Sequence, residues 1–165
     1  MLLLSVTIIT AGLLEDNAAV IIGGMVMAPL IVPILLLSLS IVTRSRRGVL
    51  HASKVIVLSL CLVYILANVM TEIMSLYAIS EIYWIPTTIS PALYFLIAFC
   101  SGIAAAFAWV KEEMSSSIAG VAISVSLLPP LCVVGIGSAL GDYLLTYISL
   151  KLFILNLIGM VLAAV

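Results

Sequence analysis

From Ala18 to Thr43 the chain runs 26 residues without a charged side chain. A bilayer crossing needs about 20 such residues, so this stretch reads as a membrane-spanning helix. It is interrupted all the same. The segment GGMVMAPLIVP, Gly23 to Pro33, sets Pro29 and Pro33 in its middle. Proline inside a helix removes one i→i−4 hydrogen bond, and its ring clashes with the preceding turn. In hydrocarbon the carbonyl it frees has no water to bond. A fold for this chain has to supply partners for those carbonyls.

The rest of the composition agrees with a membrane setting. Of 165 residues 65% are hydrophobic and only 8% charged, against about 25% charged in an ordinary soluble domain. So few charges cannot cover a water-soluble fold, and the expected partner is the lipid bilayer. No basic run is long enough to suggest nucleic acid. Cys61, Cys100 and Cys132 all lie in apolar runs and read as small packing residues. His51 is the sole histidine, which leaves little material for a zinc site or a catalytic triad. HExxH, GxSxG and paired catalytic aspartates are absent. The reading is therefore not an enzyme, with no metal site and no organic cofactor.

Six apolar segments follow, at 1–14, about 18–43, about 48–78, about 91–111, about 117–140 and about 143–165. Asn17 can cap the second, and Ser90 with Pro91 can start the fourth. Ser115, Ser116 and Ser117 offer caps for the fifth, and Gly141 with Asp142 makes a short turn before the sixth. The first segment, MLLLSVTIITAGLL, has no basic n-region and no clear cleavage site, so it is not expected to be a signal peptide. It is also short for a span, so it is either incomplete or entered from a segment outside these residues. The basic loop TRSRRG, with Arg44, Arg46 and Arg47, joins segments two and three, and Lys111 lies between four and five. LEDN, SEIYWIPTTIS and GDY contain no Lys or Arg. Under the positive-inside rule this alternation gives six spans with both termini cytoplasmic. Tyr77, Tyr83, Trp84, Tyr94, Tyr143 and Tyr147 then fall at the outer interface and Trp109 at the inner one.

The fifth segment carries VSLLPPLCVVG, with Pro129 lying 100 positions after Pro29. The same offset aligns Asn17 with Ser117 and Ala19 with Ala119. Identity is otherwise poor, and the layout is the better argument. The fold expected is all-α: a polytopic transmembrane bundle in one domain over 1–165. It has two three-helix halves, 1–80 and 90–165, with proline-broken second and fifth segments. Three is odd, so repeated halves would insert in opposite orientations. Inverted repeats with interrupted helices in matched places point to a transporter site. Each break lies 12 residues from its cap, Asn17 or Ser117, about 18 Å at the α-helical rise and so near the midplane. Pro29 and Pro33 would free the carbonyls of Met25 and Pro29; Pro129 and Pro130 would free those of Val125 and Ser126. Gly24, Met25, Ala28, Pro29, Pro33, Ser124, Ser126, Pro129 and Pro130 are the candidate ion or solute pathway. Proline kinks that serve packing alone are the other reading.

IIGGMVMAPLIVPILLL resembles the first signature of a prokaryotic membrane family, domain of unknown function 389, and GVAISVSLLPPLCVVGIG its second. ILNLIGMVLAA is similar to its third, an asparagine-containing final helix. Gly24 stands where the family pattern usually has alanine. Many members carry a soluble domain before the membrane part, which these residues do not include. The resemblance implies a multi-pass protein of the prokaryotic inner membrane and leaves the substrate open.

Polar residues inside the spans complete the candidates. Glu72 and Lys151 each sit about two turns from the outer end of a helix, where pairing is the default for a charge. Lys151 snorkelling to the interface is the alternative. Asn68 and Asn156 could hydrogen-bond between helices or bind solute. Thr71, Ser59 and Ser149 are open in the same way. Glu15, Asp16 and Asn17 mark the outer mouth, as a solvated turn or a cation-attracting vestibule. Gly137 with Gly141, Gly102 with Ala106 and Gly24 with Ala28 are small-residue pairs for close packing, within one chain or in a homo-oligomer. The functions expected are a channel or secondary transporter for an ion or small polar solute, or an oligomeric structural or sensory anchor.

Overall fold

The computed structural model describes residues 1–28, 31–76, 91–110 and 116–165, with side chains at all of these except 31, 91, 94, 108–110 and 116–125. Among the described residues there are seven helices and no strand. They are α1 (Leu2–Leu14), α2 (Ala18–Val26), α3 (Ile31–Val42), α4 (Arg46–Ser75), α5 (Pro91–Val110), α6 (Ser116–Ala139) and α7 (Tyr143–Ala164). Five of the six expected segments each hold one helix; both ends of α5 and the start of α6 border residues outside the described ones. The second is two helices, α2 and α3. Pro29 itself, and the aromatic loop with Tyr77, Tyr83 and Trp84, lie outside the described residues.

The expectation of a start near 48 for the third segment is corrected. α4 begins at Arg46, because Ser45 Oγ accepts the Gly48 N–H at 3.2 Å and caps it. Arginines in a first turn face the positive end of the helix dipole, which is why the sequence alone suggests a later start. Pro33 lies within α3, two residues after its described start at Ile31; the residues immediately before, where the expected break falls, lie outside the described ones.

Three junctions share one construction. Asp16, Arg44 and Gly141 have φ of 49°, 53° and 72°, the left-handed conformation that ends a helix. The next N–H in each case reaches back five residues: Asn17 to the Gly12 carbonyl at 2.8 Å, Ser45 to that of Ser40 at 3.0 Å, Asp142 to that of Gly137 at 2.9 Å. That same residue then caps the following helix with its side chain. Asn17 Oδ1 accepts from Ala19 and Val20, and Asp142 Oδ1 accepts from Leu145 at 2.9 Å. One residue thus closes one helix and opens the next.

α6 is the axis of the bundle. It packs against each of the other six helices. All residues from Ser126 to Gly137 are buried, as expected of a helix apolar on every side. Small residues bring the neighbours close. A Cβ on Gly135 would lie 2.7 Å from Ala67 Cβ and 2.9 Å from the Tyr64 carbonyl of α4. One on Gly102 would meet the Met160 carbonyl of α7 at 2.6 Å, and one on Gly24 would meet Ile9 of α1 at 2.7 Å. Gly102 and Gly24 therefore pack helices within one chain. Gly141 forms no such seam with Gly137: it sits in the turn with nothing within 4 Å of its Cβ position.

Two helices among the described residues, α4 and α7, are long and apolar enough to cross a bilayer. At the α-helical rise they measure about 45 and 33 Å, against a hydrocarbon core of about 30 Å. Their outward faces carry large apolar side chains, among them Val57, Leu58, Ile65, Ile154 and Leu162.

These contacts give a matched pair of tests. Gly102→Leu should cost about 1–3 kcal/mol, because backbone and not a flexible tip blocks the new side chain. Gly23→Ala should be neutral or slightly stabilising, since nothing lies within 4 Å of the added methyl. Thermal unfolding of the purified variants reads both; equal melting temperatures would contradict this packing.

Candidate functional site

The expected break of the fifth segment is corrected: α6 is continuous through Pro129 and Pro130. The physical reason lies on α7. Pro130 has no N–H to give the Ser126 carbonyl, its i−4 acceptor. Asn156 Nδ2 donates to that carbonyl instead, at 2.8 Å. Ser126 is 5% exposed and Asn156 1%, so the replacement bond is dry. On the other side, Ser101 Oγ of α5 lies 3.4 Å from Ser126 Oγ and itself donates to the Ile97 carbonyl. Three helices thus bring polar groups to one level of an otherwise apolar core.

The site is not fully satisfied. A primary amide offers two donor hydrogens and an acceptor oxygen, and Asn156 Oδ1 is buried with no hydrogen-bond partner among the described residues. Ser149 Oγ of α7 is in the same condition, while Thr10 Oγ1 of α1 faces the buried Cys132 thiol of α6. Each such atom costs about 1–3 kcal/mol, and buried polar atoms in native structures are otherwise almost always bonded.

A second polar bridge holds α4 to α6. Asn68 Nδ2 donates to Ser138 Oγ at 2.9 Å and to the Gly135 carbonyl at 3.3 Å, and Ser138 Oγ donates to the same carbonyl at 2.9 Å. Gly135 lies about 13 Å along the helix from Ser126. Asn68 and Asn156 therefore both act between helices, each gripping α6.

The end of α2 is closed by the protein as well. The Gly24 carbonyl accepts from Ser5 Oγ at 2.7 Å and from the Met27 N–H at 3.2 Å. The Met25 carbonyl, freed by Pro29, accepts from the Ala28 N–H at 3.2 Å. This tightening to i→i−3 bonds is a usual helix ending. Met25 and Ala28 are buried in the same cluster as Leu127, Leu128 and Cys132, and α2 packs on α6. Of the candidate pathway, Gly24, Met25, Ala28, Pro33, Ser126, Pro129 and Pro130 are all buried. Pro29 and the side chain of Ser124 lie outside the described residues.

The remaining candidates separate from this core. Glu15, Asp16 and Asn17 are exposed in the α1–α2 turn. Glu72 and Lys151 do not pair: α4 and α7 share no contact, and both side chains are exposed. Lys151 Nζ instead lies 5.4 Å from the centre of the Tyr147 ring, a cation–π contact. Equal depth along two helices does not place their side chains on facing sides. Among the described residues no three His, Cys, Asp or Glu could share a metal ion. The sequence reading passed over Ser5, Thr10, Ser101 and Ser138. Serine and threonine inside a helix commonly bond their own i−4 carbonyl, as Thr71 does to Ala67, so nothing in the local sequence distinguishes those that reach across.

A double-mutant cycle tests the Asn156 bond. Asn156→Ala should lose about 1–3 kcal/mol by removing the donor that α7 gives the Ser126 carbonyl. In a Pro130→Ala background the backbone N–H returns, so the same substitution should cost at least about 1 kcal/mol less. Identical losses in the two backgrounds, measured by unfolding in detergent, would detach Asn156 from the proline.

The family model for a domain of unknown function, DUF389, matches residues 25–162. Among curated proteins the chain is 32% identical over 175 aligned residues to the uncharacterized protein MJ0678 of Methanocaldococcus jannaschii, covering 100% of this chain and 51% of that protein. The chain thus spans about half the length of that relative. No solved structure matches it. The matched residues run from Met25 through α6 and Asn156, and this chain belongs to the DUF389 family.

Proposed function

We propose that this chain is a multi-pass protein of the prokaryotic inner membrane that conducts or transports an ion or small polar solute. Its six spans are α1, the interrupted α2–α3, α4, α5, α6 and α7, with both termini in the cytoplasm. α1 to α4 and α5 to α7 are the two halves, inserted in opposite orientations, and copies of the chain assemble as a homo-oligomer. Large apolar side chains on the outward faces of α4 and α7 support the membrane setting, because water-soluble monomers rarely expose such continuous patches.

One observation carries transport: Asn156 Oδ1, unpartnered and 1% exposed, beside Ser126 and Ser101 at the level of the double proline. Intramembrane polar groups that lack protein partners are where a solute or ion pathway is sought. The amide oxygen, with the Ser101 and Ser126 hydroxyl oxygens at the same level, offers acceptors to a cation or to the donors of a hydrogen-bonding solute. A second reading, an oligomeric anchor without transport, is favoured by a different observation. The Met25 and Ser126 carbonyls are already bonded by the protein, as packing kinks would be.

Flux into proteoliposomes, over a panel of cations, anions and small neutral solutes, separates the two. Transport predicts flux for one solute class that falls about tenfold or more in Asn156→Leu, a change that removes the polar group at similar volume. A Pro29→Ala/Pro129→Ala variant should also alter it. No flux in protein of verified orientation would leave the anchor. Orientation has its own test: a cysteine at exposed Ser45 should react with impermeant maleimide only from the cytoplasmic side, and labelling from outside would overturn the six-span arrangement.

A further inference from the structure

The α3–α4 turn carries a feature that transport does not use. A depression of about 520 Å³ opens there, with Ser40, Arg44 and Arg46 on its polar lining and Val49 and Leu50 on its apolar one. Gly48 allows the close approach: a Cβ there would collide with Ser40 Oγ. Ser40 is 5% exposed and its hydroxyl has no hydrogen bond among the described residues, yet it lines the depression. The Ser45 cap takes up the Gly48 N–H and the Ser45 carbonyl that of Val49. The N–H groups of Arg46 and Arg47 at the start of a 30-residue helix remain free to donate. Neither Arg44 nor Arg46 is ion-paired among the described residues.

The depression continues down α4. A second one, of about 410 Å³, shares Leu50 with the first and is lined further by Lys54, Val57, Leu58 and Cys61. These positions fall at i, i+4, i+7, i+8 and i+11, one face of the helix. From Leu50 to Cys61 is about 16 Å at the helical rise, close to half of a hydrocarbon core of about 30 Å. A donor-rich, cationic head, with Ser53 and Lys54 one turn further on, thus joins a mainly apolar track that is one leaflet deep.

We propose that this elbow binds an anionic phospholipid, its phosphate held by Arg44, Arg46, the Ser40 hydroxyl and the α4 N-terminus, and an acyl chain lying along Leu50, Val57, Leu58 and Cys61. Guanidinium forks and helix N-terminal N–H groups suit phosphate oxygens, and the polar-to-apolar sequence of the lining matches the order of a lipid. The assignment rests on the membrane reading and is independent of transport.

Native mass spectrometry of the full chain tests it, with phosphatidylglycerol and phosphatidylcholine of identical acyl chains as probes and inorganic phosphate as competitor. Phosphatidylglycerol should bind about tenfold more tightly than phosphatidylcholine. Arg44→Gln/Arg46→Gln should bring the two lipids to within about twofold of each other, Ser40→Ala should weaken phosphatidylglycerol severalfold, and Arg47→Gln, outside the lining, should have little effect. Circular dichroism checks that each variant keeps its helices; should the double variant lose them, the single substitutions Arg44→Gln and Arg46→Gln are read instead. Equal binding of the two lipids would overturn the proposal. So would an Arg47→Gln loss as large as that of Arg44→Gln/Arg46→Gln, which signals diffuse attraction, or displacement by millimolar phosphate, which signals a free-anion site. Labelling of Ser45 from outside would overturn the six-span orientation and leave the lipid preference standing, so the two failures are told apart.

Discussion

A helix bearing Pro129 and Pro130 runs unbroken through the centre of this bundle because another helix supplies the donor that Pro130 lacks. The bond from Asn156 Nδ2 to the Ser126 carbonyl is a local repair with wide reach. It fixes which side of α7 faces α6. That in turn sets Gly159 and Met160 toward α5, where Phe95 and Gly102 receive them. α6 touches every other helix, so the arrangement of all of them is referred to this one axis. Between helices in lipid, tails are as apolar as leucine, and association depends on close packing and hydrogen bonds. Gly135 with Ala67 and Tyr64 supplies the first; Asn68 and Asn156 supply the second.

The two proline segments reach the same end by opposite routes. At Pro29 the chain lets α2 stop at Val26 and closes the Gly24 and Met25 carbonyls with Ser5 and local i→i−3 bonds. At Pro130 the chain keeps the helix and borrows a side chain. The first route suits α2, a nine-residue helix that packs chiefly on α1. The second suits α6, whose burial on every side leaves no direction in which a break could turn toward solvent. What remains after both repairs is a small set of polar atoms, Asn156 Oδ1 and Ser149 Oγ, without a hydrogen-bond partner among the described residues.

Much of this was readable along one dimension. The ends of α1 and α7, the interruption near Pro29 and the capping roles of Asn17 and Asp142 follow from local chemistry acting over a few residues. Apart from the start of α4, the errors concern position around the helix axis and partners far away in the chain. Proline announces a missing donor, but not that Asn156, 30 residues beyond the Ser126 acceptor, replaces it. Glu72 and Lys151 were matched by depth, yet their helices are not neighbours. Ser5 and Ser101 look like any helical serine until α2 and α6 are placed beside them. Gly141 was grouped with Gly137 by spacing, although its positive φ assigns it to a turn.

The three shared turns have a consequence for angular phase. Each uses a single left-handed residue between the last bond of one helix and the cap of the next, so the turn has no slack to absorb a change in length. One inserted residue after Arg44 would advance every side chain of α4 by about 100°. Asn68 would then swing off Gly135 and Ser138, and Ala67 would no longer meet the glycine. The turns act as phase locks: they convert the residue count between two caps into the rotational setting of a whole helix. The polar grips on α6 can therefore be encoded so far away in sequence and still arrive on the correct side.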